Sequence, residues 1–261
     1  MKNRLTFYID RQSPLHRLNP LTKLLMVFAF IIMAFFGPGF WLPTALLFLG
    51  IMPLSVIGKV HKEYFRTTVR LLLPVVGFLF IMQSVFHPDT GNSRELLSFW
   101  QLNITVEGVK YAYQMAMRIL VMISAFILFM LTTHPSQLMS DLTRRGLSGT
   151  FAYVITSTLQ IIPQMQAKAS TIMDAQRSRG LDTEGSLRKR VGALLPLVAP
   201  LVFGSLVEVE ERAIAIEARA FTSKKKKTFL HEIPDTQTDK NLRWLFIALI
   251  ILSFGSKLWQ S

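Results

Sequence analysis

The chain of 261 residues contains no cysteine, which excludes disulfides and thiolate metal sites outright. Its five histidines, His16, His61, His87, His134 and His231, are scattered and share no metal-ligand spacing. It has no Gly-rich Walker A loop, no Gly-x-Ser-x-Gly elbow and no His-Glu-x-x-His helix. The usual nucleotide, acyl-transfer and zinc-hydrolase chemistries therefore have no residues to run on, and no catalytic, cofactor-binding or metal-binding residue is assigned. Acidic residues are also scarce: 16 Asp and Glu stand against 29 Lys and Arg, for a net charge of +13. None of these acids lies inside the four clearest apolar stretches, which argues against a proton- or sodium-coupled carrier working alone. A membrane-bound lipid-modifying enzyme would need clustered metal-binding carboxylates near a membrane face, and none is evident. The first twenty residues are polar and charged, without the apolar core and cleavage site of a signal peptide.

What the chain does have is apolar sequence. Hydrophobic residues make up 51%, with 20 Phe, and the mean hydropathy is positive. That balance points to a membrane protein, whose basic excess marks the cytoplasmic side rather than a nucleic-acid surface. Leu24–Phe36, Phe40–Ile57, Leu71–Phe86, Val109–Thr132 and Trp244–Trp259 read as spans. The reading is therefore an all-α polytopic protein of about five transmembrane helices. Gly37-Pro38-Gly39 is an uncharged turn, and His87–Gly108 is a polar loop without basic excess. Lys59, Lys62, Arg66 and Arg70 mark the opposite side. Arg118 lies near the start of its span, placed either to snorkel and pack or to face a pathway. Pro74 predicts a bend in the third span.

From His134 to Arg243 there are 16 Lys and Arg against 11 Asp and Glu. The composition divides the chain into membrane helices over 1–133, a cytoplasmic, membrane-proximal domain with two long helices over 134–241 and a last membrane helix over 242–261. Pro135–Leu147 reads as a short amphipathic helix. Phe151–Arg179 and Arg188–Arg219 read as two long helices, each about 40–50 Å if continuous, with kinks or breaks expected at Pro163, Pro196 and Pro200. Their more apolar first halves suit half-embedded helices. Glu208 and Arg212 have the favourable i, i+4 order of a same-helix ion pair. Lys224–Lys227 is a charge block suited to solvent or anionic headgroups. With charged blocks on alternating sides, the N-terminus and Phe151–Phe221 share the cytoplasmic side of the membrane, and the C-terminus lies outside.

Both long helices end in one pattern. Ala175-Gln176-Arg177-Ser178-Arg179-Gly180-Leu181 and Ala215-Ile216-Glu217-Ala218-Arg219-Ala220-Phe221 align without gaps. Each gives a small residue, an arginine, a small residue and a bulky apolar one. Small neighbours leave the guanidinium uncovered, so its planar fork can reach a carboxylate on another protein. An arginine in a last helical turn also complements the helix dipole. The candidate docking residues are Ser178, Arg179, Gly180, Ala218, Arg219 and Ala220.

In these residues the chain resembles the transmembrane (T) component of energy-coupling factor transporters, importers of vitamins and transition-metal ions. Ser13-Pro14-Leu15-His16-Arg17-Leu18-Asn19-Pro20-Leu21-Thr22-Lys23-Leu24 is similar to the family's opening signature, with Asn19 where aspartate is common. Thr132-Thr133-His134-Pro135 resembles its Thr-Thr-x-Pro motif, and the two arginine segments match its paired Ala-Arg-Gly signatures. The resemblance implies two partner ABC-type ATPase subunits that use ATP, a separate substrate-binding S component, and no cofactor on this chain. Arg179 and Arg219 would then each pair with acidic residues in a groove of one ATPase, each motif meeting a non-identical surface.

Overall fold

A computed structural model describes residues 8–86, 95–99, 102–181, 187–221, 223 and 235–260. The link from Leu181 to Leu187 reads in the sequence as a turn; its residues 182–186 and the lysine block at 224–227 lie outside the described residues. The chain forms two compact units. One takes in the described residues from 8 to 146 and from 235 to 260, and the other those from 147 to 223.

Three helix starts in the first unit share one local rule. Ser13 accepts a hydrogen bond from the His16 amide and is followed by Pro14, opening α1 (Pro14–Arg17). Asn19 accepts from the Leu21 amide and is followed by Pro20, opening α2 (Pro20–Phe36). His134 accepts from the Ser136 amide and is followed by Pro135, opening α7 (Pro135–Arg144). A polar cap takes an orphan amide, and proline at the first helical position gives up an amide that has no partner there anyway.

The other elements of this unit follow the apolar pattern. Leu42–Ala45 is α3, Leu46–Ile51 is π-helical, and Met52–Ile57 is α4. Pro53 lacks an amide and crowds the carbonyl one turn back, and the widened π turn lies directly ahead of it. His61–Val85 is α5 and Val106–Thr132 is α6, the two described helices long and apolar enough to cross a membrane. Gln237–Gln260 is α10. The loop expected over His87–Gly108 holds a short antiparallel hairpin, β1 (Glu95–Phe99) with β2 (Leu102–Thr105), in the register Phe99 to Leu102. Its alternating apolar residues are too few to stand out as a strand signal beside the long runs. Gly37 closes α2 with its amide on the Met33 carbonyl at 2.9 Å. A Cβ there would overlap Leu42 and that carbonyl, so the tight turn requires glycine.

The core sits where α2 meets α6 and α10. Ala29, Ala34 and Ala125 are fully covered, as are Val121 and Leu128, and small residues at these positions let the helix backbones approach closely. Phe36 meets Phe254 of α10 with ring centroids 4.8 Å apart. Arg118 donates through Nε to the Ala34 carbonyl at 3.1 Å and lies over the Phe35 ring. It thereby caps one of the orphan carbonyls at the end of α2.

One polar knot ties the ends of the chain together. Lys23, 1% exposed, donates through Nζ to the carbonyls of Thr132 at 2.8 Å and His16 at 3.2 Å. Asp239, fully buried, accepts the Asn19 amide at 2.9 Å and the Thr236 amide at 3.2 Å, the second closing the start of α10. Composition places Asp239 in a polar linker; its partner lies 220 residues away in sequence, so no local pattern betrays it.

The second unit is a helix pair: α8 (Gly149–Ser178) and α9 (Leu187–Ala218). α8 and α9 run unbroken through Pro163, Pro196 and Pro200, where kinks or breaks are expected, and α5 runs unbroken through Pro74. Each proline costs one hydrogen bond in helices of 25 to 32 residues, and the neighbouring turns hold the helix together.

Candidate functional site

The two arginine segments are helix ends of one geometry. At the end of α8 the Gly180 amide bonds the Arg177 carbonyl at 2.9 Å and the Leu181 amide the Gln176 carbonyl at 3.0 Å. At the end of α9 the Ala220 amide bonds the Glu217 carbonyl at 2.9 Å and the Phe221 amide the Ile216 carbonyl at 3.2 Å. These crossed bonds are the Schellman motif, which needs a left-handed residue just past the cap and favours an apolar residue after that. Gly180 has φ +90° and Ala220 φ +53°. The small residue after each arginine is thus a backbone requirement, and the bulky apolar residue is the motif's hydrophobic contact. Phe221 packs against Tyr153 of the neighbouring helix α8, ring centroids 5.1 Å apart.

Arg179 and Arg219 therefore occupy equivalent cap positions. Ser178, Arg179, Gly180, Ala218, Arg219 and Ala220 are all exposed. Neither Arg179 nor Arg219 has an ion pair or side-chain hydrogen bond with another described residue, whereas the adjacent Arg177 is paired with Asp174 at 3.7 Å. A third helix end with the same arginine-small-apolar sequence gives the contrast. Arg145 caps α7 ahead of Gly146, φ +113°, but pairs with Asp141 at 3.8 Å and Asp235 at 3.7 Å. The sequence holds three Arg-small-apolar helix ends, and among the described residues one arginine is tied down while two face outward.

The helices that carry these ends run antiparallel. Tyr153 meets Phe221, Met165 receives the Ser205 hydroxyl at 3.5 Å, and Lys168 pairs with Glu208. Glu208 was expected to pair with Arg212 along its own helix; the antiparallel register puts Lys168 within reach instead, and Arg212 lines the crevice between the helices. That crevice, of about 250 Å³, is lined chiefly by Tyr153, Ile161, Met165, Val209 and Ile216. Because the α9 end lies beside Tyr153, the two exposed arginines stand about 35–40 Å apart, the rise of α8 from Tyr153 to Arg179. Apolar surface on α9 is left open between them: Phe203, Leu206, Val209 and Ile214 are each at least 60% exposed. Among the described residues, no group of three His, Asp or Glu side chains converges as a metal site requires.

Residues 11–230 match the family model described as cobalt transport protein, CbiQ. The chain is also similar to the energy-coupling factor transporter transmembrane protein EcfT of Lactococcus lactis subsp. cremoris, at 27% identity over 97% of this chain and 96% of the relative. The protein of the same name from Limosilactobacillus fermentum is 27% identical over 99% of both chains. That of Listeria innocua is 29% identical over 97% of this chain and 96% of its own.

Proposed function

Because the chain belongs to the cobalt transport protein (CbiQ) family, we propose that its two exposed arginine helix ends dock two ABC-type ATPase subunits, one each. The chain is a membrane protein and the transmembrane coupling component of an energy-coupling factor transporter. In the proposed division of labour the ATPases bind and hydrolyse ATP, a separate S component binds the vitamin or metal ion, and this chain converts one event into the other. It holds no cofactor and performs no chemistry of its own. The N-terminus and the helix pair α8–α9 face the cytoplasm of the prokaryotic cell membrane, where basic residues concentrate.

The observation that carries the reading is the pairing of Arg179 and Arg219. Two guanidinium groups without partners among the described residues, on identical backbone caps about 35–40 Å apart, suit one acidic groove on each of two subunits better than two grooves on one. The planar fork supplies the bidentate geometry for carboxylates. The exposed apolar side of α9 gives the S component a surface on which its tilting can be transmitted. The motifs differ at Gly180 against Ala220 and Leu181 against Phe221, and the two ATPase surfaces are accordingly non-identical.

Purification of the tagged chain from native membranes tests the assignment. Two ATPases and a small hydrophobic protein should accompany it, and uptake should require ATP. Transport by the chain alone in sealed vesicles would overturn the reading.

A further inference from the structure

Helix α5 is the most poorly covered of the long apolar helices. Only 17% of its most apolar stretch is buried within the chain, against 50% for α6. Between the two helices runs a groove of about 410 Å³ lined by Val69, Leu73, Val76 and Phe80 of α5 and by Met117 and Leu120 of α6. On α5 these positions continue a stripe at alternating spacings of four and three: 62, 66, 69, 73, 76, 80. Its first two members are Lys62 and Arg66, and Arg70 stands one turn beyond Arg66. All three are exposed and have no ion pair among the described residues. Glu63, the nearest acid on the helix, is already paired with Arg11. From Val69 to Phe80 the groove extends about 17 Å at the helical rise, close to the ~15 Å depth of one leaflet's hydrocarbon.

We propose that this groove binds an anionic phospholipid from the leaflet at the basic end of α5, its phosphate at Arg66 and Arg70 and one acyl chain along Val69 to Phe80. A phosphodiester matches the paired guanidinium groups, and the apolar lining selects a lipid over free phosphate. Gly77 faces the same groove, and a Cβ built there meets nothing within 4 Å, so the space is open at mid-groove. The proposal needs α5 and α6 to span the membrane but is independent of ATPase docking.

The test uses the full chain purified with its native partners from vesicles of equal phosphatidylglycerol and phosphatidylethanolamine, with retained lipid measured by mass spectrometry. The wild-type chain should retain phosphatidylglycerol in excess. Arg66→Gln with Arg70→Gln should reduce that excess by about an order of magnitude, and the double lysine variant should restore most of it. Gly77→Phe, which fills the groove while leaving every charge in place, should lose both lipids. Unchanged lipid ratios in the glutamine variant, or full retention in Gly77→Phe, would overturn the proposal. So would a photoreactive group at Gly77 that captures a partner protein instead of lipid. A complex that fails to assemble while lipid selectivity persists would count against the coupling role and leave this site standing.

Discussion

Replacing Arg179 and Arg219 by alanine separates a docking role from a capping one. The crossed hydrogen bonds that end α8 and α9 run between main-chain atoms, so they survive truncation of either side chain. What the fold loses is the favourable interaction of a cation with a helix C-terminus, about 0.3–1 kcal/mol at an exposed site. If each guanidinium is desolvated against a carboxylate in an ATPase groove, docking loses about 2–5 kcal/mol per arginine. At 1.4 kcal/mol per decade this is roughly 30- to 4,000-fold in affinity. Lysine should recover only part, since a point charge lacks the bidentate fork. Arg145→Ala is the internal control. It too precedes a left-handed residue at a helix end, but its two ion pairs stay within the chain and it is half-exposed. Its removal should leave docking intact while costing about 1–3 kcal/mol of stability, because its partner Asp141 is buried. The assay is ATPase pull-down with ATP-dependent uptake, alongside thermal melting of each variant. The reasoning fails if the double alanine variant assembles and transports normally, or if Arg145→Ala weakens docking equally.

Three further outcomes are expected. Ala220→Gly should steady the last turn of α9 by about 0.5–1 kcal/mol, because alanine bears the left-handed penalty that glycine escapes; Gly180→Ala should loosen α8 by a similar amount, and hydrogen exchange at Leu181 and Phe221 reads both. Lys23→Met should remove two buried charge-assisted hydrogen bonds and cost about 1.5–3 kcal/mol each, seen as a lower melting temperature; an unchanged melt would mean that packing alone holds the knot. For topology, a single cysteine at Ser223 should resist an impermeant reagent in intact cells and react after permeabilisation, and one at Gly39 should behave in the opposite way.

The sequence made the helices and their ends visible because the controlling forces are local. Pro14, Pro20 and Pro135 follow polar caps, Arg145-Gly146, Arg179-Gly180 and Arg219-Ala220 close helices, and the apolar runs between them are long. Hidden from it were the pairings that depend on which elements meet. Lys168 reaches Glu208 only because α8 and α9 are antiparallel. Asp239 finds the Asn19 amide only when α10 packs beside α2. Arg118 reads in the sequence as either a packing or a pathway charge because its acceptor, the Ala34 carbonyl, carries no sequence signal. The candidate docking residues were legible as a repeated pattern, but that pattern also belongs to ordinary Schellman caps. Only the absence of a described partner distinguishes Arg179 and Arg219 from Arg145.

Placing these arginines at helix C-termini has an electrostatic consequence. The last carbonyls of α8 and α9 carry a partial charge equivalent to about −0.5, directly behind each guanidinium. A carboxylate that comes close to the backbone is repelled, while one held at the full reach of the side chain meets the positive fork first. The field thus changes sign over the length of one side chain. An aspartate or glutamate presented at the rim of a groove is accepted at that distance, and an acidic residue pressed against the helix end is rejected. Shortening the reach would weaken attraction and strengthen repulsion together, so each cap acts as a spacer as well as a charge.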